Sequence, residues 1–255
     1  MRNSVKHLLI LVSLFLFSFI SISCSSSSDG GSSTTTDNTT TTDNTTTTDN
    51  TTTDNTTTSP GLFVTVGNTG TILTSPDGTT WTKRTSGTSE SLYEVTYGKG
   101  TFVTVGNTGI ILTSTDGTSW DNRTSGTTNH LYGVTYGNGT FVIVGDSGTI
   151  LTSSDGTTWT SRTSGTSYGL LGVTYGNNTF VMVGWNGTIF TSSDGTSWTS
   201  RTSGTSENLY GVTYGNSTFV IVGNSGTIKT STDGTTWTSR TSGTSNLLNG
   251  VTYKE

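Results

Sequence analysis

The chain has 255 residues, 28% hydrophobic and 11% charged, with 11 Lys and Arg against 16 Asp and Glu. An acidic balance with no basic stripe excludes nucleic acid as the expected partner. The single cysteine cannot close an internal disulfide, so the fold has to hold by packing alone, and neither cofactor nor metal is expected.

Residues 1–23 place Arg2 and Lys6 ahead of an apolar run from Leu8 to Ile22, too short and wrongly flanked for a membrane span. It reads as an export signal. Cys24 follows directly and precedes SSSSDGGSS, an arrangement that resembles the lipobox of bacterial lipoproteins. The resemblance implies cleavage before Cys24, lipidation there and a lipid-anchored place in the bacterial cell envelope; simple secretion is the other reading.

Residues 24–60 are nearly all Ser, Thr, Asp and Asn, with a TTTDN-like unit repeated four times. With no apolar residue to offset chain entropy, this stretch is expected to be a disordered stalk. As a flexible coil it would span on the order of 30 Å. Without Arg2 and Lys6, the exported chain carries 9 cationic and 16 acidic residues.

Residues 61–255 repeat with a period of 39 residues. Trp81, Trp120, Trp159, Trp198 and Trp237 keep this step, as do Asp77, Asp116, Asp155, Asp194 and Asp233. In the middle repeat, glycine-rich turns separate four segments rich in Val, Ile, Thr, Tyr and Phe: A (Leu131 to Tyr136), B (Thr140 to Val144), C (Thr149 to Ser153) and D (Thr158 to Thr163). These are predicted antiparallel strands, with Asn138-Gly139 and Asp155-Gly156 as hairpin turns.

Strand B reads FVIV or FVTV, apolar on consecutive residues, so both faces of its sheet must be covered. Sheets stacked radially as blades satisfy this, and the expected fold is an all-β, five-bladed β-propeller; a linear solenoid is the rival. The first repeat lacks strand A, whereas LLNGVTYKE supplies a strand A at the other end. Pairing the C-terminal strand A with the N-terminal strands B to D would close the ring.

The stretch VGDSGTILTSSDGTTW and its copies resemble the Asp-box, or BNR, repeats of sialidase-like propellers. The VG..GTI..S.DG..W pattern is also similar to the photosystem II stability and assembly factor family. The box here, Ser153 to Trp159, is one residue shorter than the family's S-x-D-x-G-x-T-W. The five box aspartates are expected to accept backbone N–H groups in a turn, and the five tryptophans to wedge between blades. A fully buried Trp would contribute up to roughly 4–6 kcal/mol. Arg84, Arg123, Arg162, Arg201 and Arg240 are read as guards of the outer edge strand.

The boxes are C–D turns, so the opposite end of each blade carries the B–C and D–A turns, where the repeats diverge. Trp185 is the only aromatic among the B–C positions Asn68, Asn107, Asp146, Trp185 and Asn224. With Tyr168, His130, Asp146, Glu207 and Asn208 it forms a candidate ligand site, suited to stacking and hydrogen bonding. Trp185 packing over a loop is the other reading. Lys229 and Glu94, which break the pattern of strands C and A, are expected to point outward or towards the channel.

These residues support a surface-displayed binding module for a glycan or a protein partner, monomeric and touching the membrane only through its lipid anchor. The photosystem-factor resemblance implies instead an envelope assembly or scaffolding factor. A sialidase-like hydrolase would need a convergent arginine triad with a Tyr-Glu pair, or two facing carboxylates, and the repeats assemble neither. No catalytic residue is expected.

Overall fold

A computed structural model describes residues 61–254. The export signal, Cys24 and the stalk lie outside the described residues. The fold is all-β, a five-bladed β-propeller. Blade 1 contains β1 (Phe63–Gly67), β2 (Thr71–Ser75) and β3 (Thr82–Arg84). Blade 2 contains β4 (Leu92–Gly98), β5 (Thr101–Gly106), β6 (Ile111–Ser114) and β7 (Asp121–Arg123). Blade 3 contains β8 (Leu131–Gly137), β9 (Thr140–Gly145), β10 (Ile150–Ser153) and β11 (Thr160–Arg162). Blade 4 contains β12 (Leu170–Gly176), β13 (Thr179–Gly184), β14 (Ile189–Ser192) and β15 (Thr199–Arg201). Blade 5 contains β16 (Leu209–Gly215), β17 (Thr218–Gly223), β18 (Ile228–Ser231) and β19 (Thr238–Arg240). Blades 2 to 5 are four-stranded antiparallel sheets in the order A-B-C-D.

The apolar runs of strand B account for the stacking. Phe141 and Ile143 cluster with Val103, Val105 and Ile111 of blade 2, whereas Val142 and Val144 cluster with Leu170, Phe180 and Met182 of blade 4. Alternate side chains of one strand therefore serve two seams, each fully buried residue adding about 1.5–3 kcal/mol. The seam is close. A Cβ on Gly137 would stand 2.1 Å from Cγ of Tyr175, so only glycine admits that ring.

The closing ladder is not formed. Blade 1 is three-stranded, β1 pairs with β2 alone, and residues 249–254 belong to no strand among the described residues. The C-terminal segment follows the common seam instead: Tyr253 lies over Gly215 as Tyr214 lies over Gly176. The seam thus places this segment beside β16 as the strand A of a further blade would lie, with no ladder to β1 among the described residues.

Each box is a closed turn. In blade 3, Gly156 N–H donates to Ser153 Oγ at 2.8 Å, and the N–H groups of Thr157 and Thr158 donate to Asp155 Oδ1 at 2.8 and 2.9 Å. Such bonds hold Asp77, Asp116, Asp155, Asp194 and Asp233 below the usual carboxylate range. Trp120, Trp159, Trp198 and Trp237 pack against core clusters shared by two adjacent blades, but their burial is partial, and Trp81 is exposed. Trp159 packs on Phe141 of its own blade at 6.3 Å, and its contribution is correspondingly a fraction of the full-burial figure. Each strand D arginine donates Nε to a strand C threonine at 2.8–2.9 Å, clamping the outer strand.

Two exceptional residues point into seams. Lys229 is buried and donates Nζ to Ser239 Oγ at 2.8 Å. Glu94 reaches the next blade, where Oε2 accepts Val134 N–H at 2.8 Å, and burial pushes its carboxyl up to about 7. Lys229 is thus buried in place of pointing outward or towards the channel, whereas Glu94, half-buried by its accessible surface, turns across the seam to strand A of the next blade.

Candidate functional site

The B–C turns and D–A loops meet at one end of the blades, tied by backbone bonds such as Asp146 N–H to His130 O, Trp185 N–H to Gly169 O and Asn224 N–H to Asn208 O, all at 2.9 Å. Each D–A loop also reaches the preceding blade's turn, as Gly187 N–H donates to Glu207 O at 2.9 Å. Every strand A of blades 2 to 5 starts with a bulge whose extra residue is Tyr93, Tyr132, Leu171 or Tyr210. A bulge re-aims a side chain. Two of these residues, Tyr93 and Tyr132, bond the B–C turn of their own blade.

Tyr93 Oη bonds Asn107 Oδ1, and Tyr132 Oη donates to Asp146 Oδ2 at 3.1 Å. The two rings lie 5.5 Å apart across the seam. His130 sits beside Tyr132, with ring centroids 6.2 Å apart. Its Nδ1 accepts Thr108 N–H at 3.1 Å, so this nitrogen is engaged in holding a turn. Asn208 does the same one seam on, its Oδ1 accepting Asn186 N–H at 3.0 Å.

Gly169 interrupts this pattern. Where His130 and Asn208 place a side chain, Gly169 leaves a notch, and a Cβ there would lie 3.2 Å from Cδ2 of Trp185 and 3.3 Å from Asp146 Oδ1. The indole of Trp185 occupies the notch yet remains 41% exposed. Beside it, Asp146 Oδ1 is buried and has no hydrogen-bond partner among the described residues. Burial and the Asp146 charge both raise the Tyr132 and Tyr93 hydroxyls above the usual phenol range, with Glu90 adding to the effect at Tyr93.

The structure therefore brings Trp185, Asp146 and, through the loop bonds, His130 and Asn208 into one face spanning blades 2 to 5. Glu207 joins it through its backbone. Tyr168 is 45% exposed on the same loop as Gly169, but no ring contact joins it to Trp185 among the described residues. Tyr93 and Tyr132 also belong to the face, as do Asn107 of the B–C set and Gly169 of the D–A loops. The usable signal was divergence at equivalent repeat positions. Two open clefts of about 740 and 580 Å³ lie at equivalent positions of the repeat, one lined by 108–110 and 122–128, the other by 147–149 and 161–167 with 125–127 and 129, and neither is lined by Trp185.

No protein-family model and no curated protein matches the chain. Solved structures do. YCF48 bound to D1 peptide aligns at 20% identity with a TM-score of 0.56, over 74% of this chain and 64% of that one. YCF48 from Cyanidioschyzon merolae aligns at 15% identity with a TM-score of 0.54, over 70% and 69%. The GH74 enzyme of Niastella koreensis aligns at 21% identity with a TM-score of 0.51, over 69% of this chain and 29% of that chain. These likenesses establish the propeller fold. The chain spans less than two thirds of the length of the peptide-bound YCF48.

Proposed function

We propose that the chain is an exported, non-catalytic binding module, anchored through a lipid on Cys24, whose B–C and D–A face engages a partner protein. One observation carries the reading: a large exposed indole, Trp185, stands beside a buried carboxylate oxygen with no partner on the face where the repeats diverge. An apolar anchor next to an unmet polar group is the usual makeup of a binding hot spot. The likeness to YCF48 bound to D1 peptide supports a peptide or protein ligand for a propeller of this kind. A role in assembling an envelope complex is the same reading with a membrane protein as partner.

The test is capture from the native envelope with the full chain as bait, alongside a Trp185→Ala bait and a glycan array. A protein retained by the parent and lost by Trp185→Ala supports the reading. Binding to an array glycan with no protein captured overturns it in favour of a lectin.

A further inference from the structure

We propose that the face around Trp185 recognises a basic segment of its partner, an arginine or lysine side chain stacking on the exposed indole in the field of the Asp146 carboxylate. This rests on the reading of that face as a protein-binding site and adds the chemistry of the ligand.

Charge is segregated around the site. The B–C turns (68–70, 107–109, 146–148, 185–187, 224–226) and D–A loops (85–91, 124–130, 163–169, 202–208, 241–247) contain Glu90, Asp146 and Glu207 but not one Lys or Arg. The cations of the domain stand elsewhere. The strand D arginines are clamped at the outer edge by their threonine bonds, and Lys229 is sealed in a seam against Ser239. The sole ion pair among the described residues, Arg123 with Asp121, is remote from Trp185 in the repeat. Asp146 is thus a carboxylate without a counter-charge, one oxygen bonded by the Tyr132 hydroxyl and the other without a partner among the described residues.

An unpaired, partly buried anion favours a cationic ligand over a neutral one, since the incoming charge gains attraction in a medium less screening than water. Trp185 supplies the second element. Indole is the best aromatic partner for a guanidinium or ammonium group, and the carboxylate lying beyond Gly169 adds to the pull of the ring face. Tyr93 and Tyr132 extend the aromatic lining towards blade 2. A neutral glycan would use the ring and leave the field of Glu90, Asp146 and Glu207 unused.

The experiment is fluorescence anisotropy on the full chain with three labelled peptides of equal length, rich in arginine, in glutamate, or in serine and glycine. The arginine peptide should bind and weaken as salt is raised. Trp185→Ala should lower its affinity by about tenfold and Trp185→Phe by less. Amide NMR shifts should centre on residues 146, 169 and 185, with unchanged thermal midpoints showing that the variants fold. Equal binding of the three peptides, binding indifferent to Trp185→Ala, or shifts centred on the box turns would overturn the inference. The wider reading fails separately, when the native partner of the capture experiment is held equally well by Trp185→Ala. A partner lost by Trp185→Ala but held without regard to salt leaves the binding site standing and removes the basic ligand.

Discussion

The Tyr132 hydroxyl donates to Asp146 Oδ2 at 3.1 Å while Oδ1 of the same carboxylate, buried beside Gly169 and Trp185, has no partner. The phenol is therefore the main side-chain bond holding this charge in place. Tyr132→Phe should destabilise the domain by about 1.5–3 kcal/mol, the range for a hydrogen bond to a charged group. Urea unfolding would read the loss. An unchanged midpoint would mean that water satisfies Asp146.

Glu94 makes stability depend on pH in a definite direction. Burial holds its folded carboxyl at about 7, against an ordinary value of 4.5. Between these values the unfolded chain releases the proton and the folded one keeps it, so stability falls as pH rises from 4.5 to 7 and then levels off. The change should be on the order of 3 kcal/mol. Glu94→Gln keeps an acceptor for Val134 N–H and should abolish this slope, leaving the variant more stable than the parent at pH 8. The depressed box aspartates act in the opposite sense, since their stabilisation is present above about pH 4 and lost as pH falls below it. Thermal midpoints across pH 3 to 8, read against the ordinary carboxylate range, check both arms.

Lys229 occupies a position held by Leu73, Leu112, Leu151 and Phe190 in the other blades. It is 5% exposed and bonds only the Ser239 hydroxyl and, at 3.5 Å, the Gly204 carbonyl. A buried ammonium without a carboxylate costs more in lost hydration than two neutral bonds return. Lys229→Leu should stabilise the fold by about 1–3 kcal/mol, measured as a rise in urea midpoint with unchanged slope. A drop would show that Lys229 is fixed by contacts beyond these two.

The period of 39 residues made the blades, the strand order and the division into two faces legible, because hydrophobic pattern and turn residues act locally. Three features were not legible. Closure depends on the rotation between blades; the seam contact of Tyr175 on Gly137 recurs with the period, but residue types alone do not give the angle it sets. The tryptophans looked like anchors by residue type, yet Phe141, Phe180 and Phe219 take the buried positions and the indoles lie on top of them. The partners of Asp146 stayed hidden because Tyr132 and Gly169 enter the site through a bulge and a missing side chain, neither visible in alternation of apolar and polar residues.

Gly169 decides where the indole of Trp185 rests. At 3.2–3.3 Å from the ring and from Asp146 Oδ1, an added methyl would demand a shift of a few tenths of an ångström from one of them. The carboxylate is held by Tyr132 and the backbone of its turn, whereas the indole has an exposed side, so the ring should yield. Gly169→Ala should displace the Trp185 Nε1–H resonance and increase its solvent exposure. Its cost in stability should stay below about 1.5 kcal/mol, as for a small overpacking that a surface ring can relieve. Should the resonance stay in place while the Tyr132 hydroxyl signal moves, the carboxylate would be the softer partner, and the notch would be shaped by Asp146 instead of Trp185.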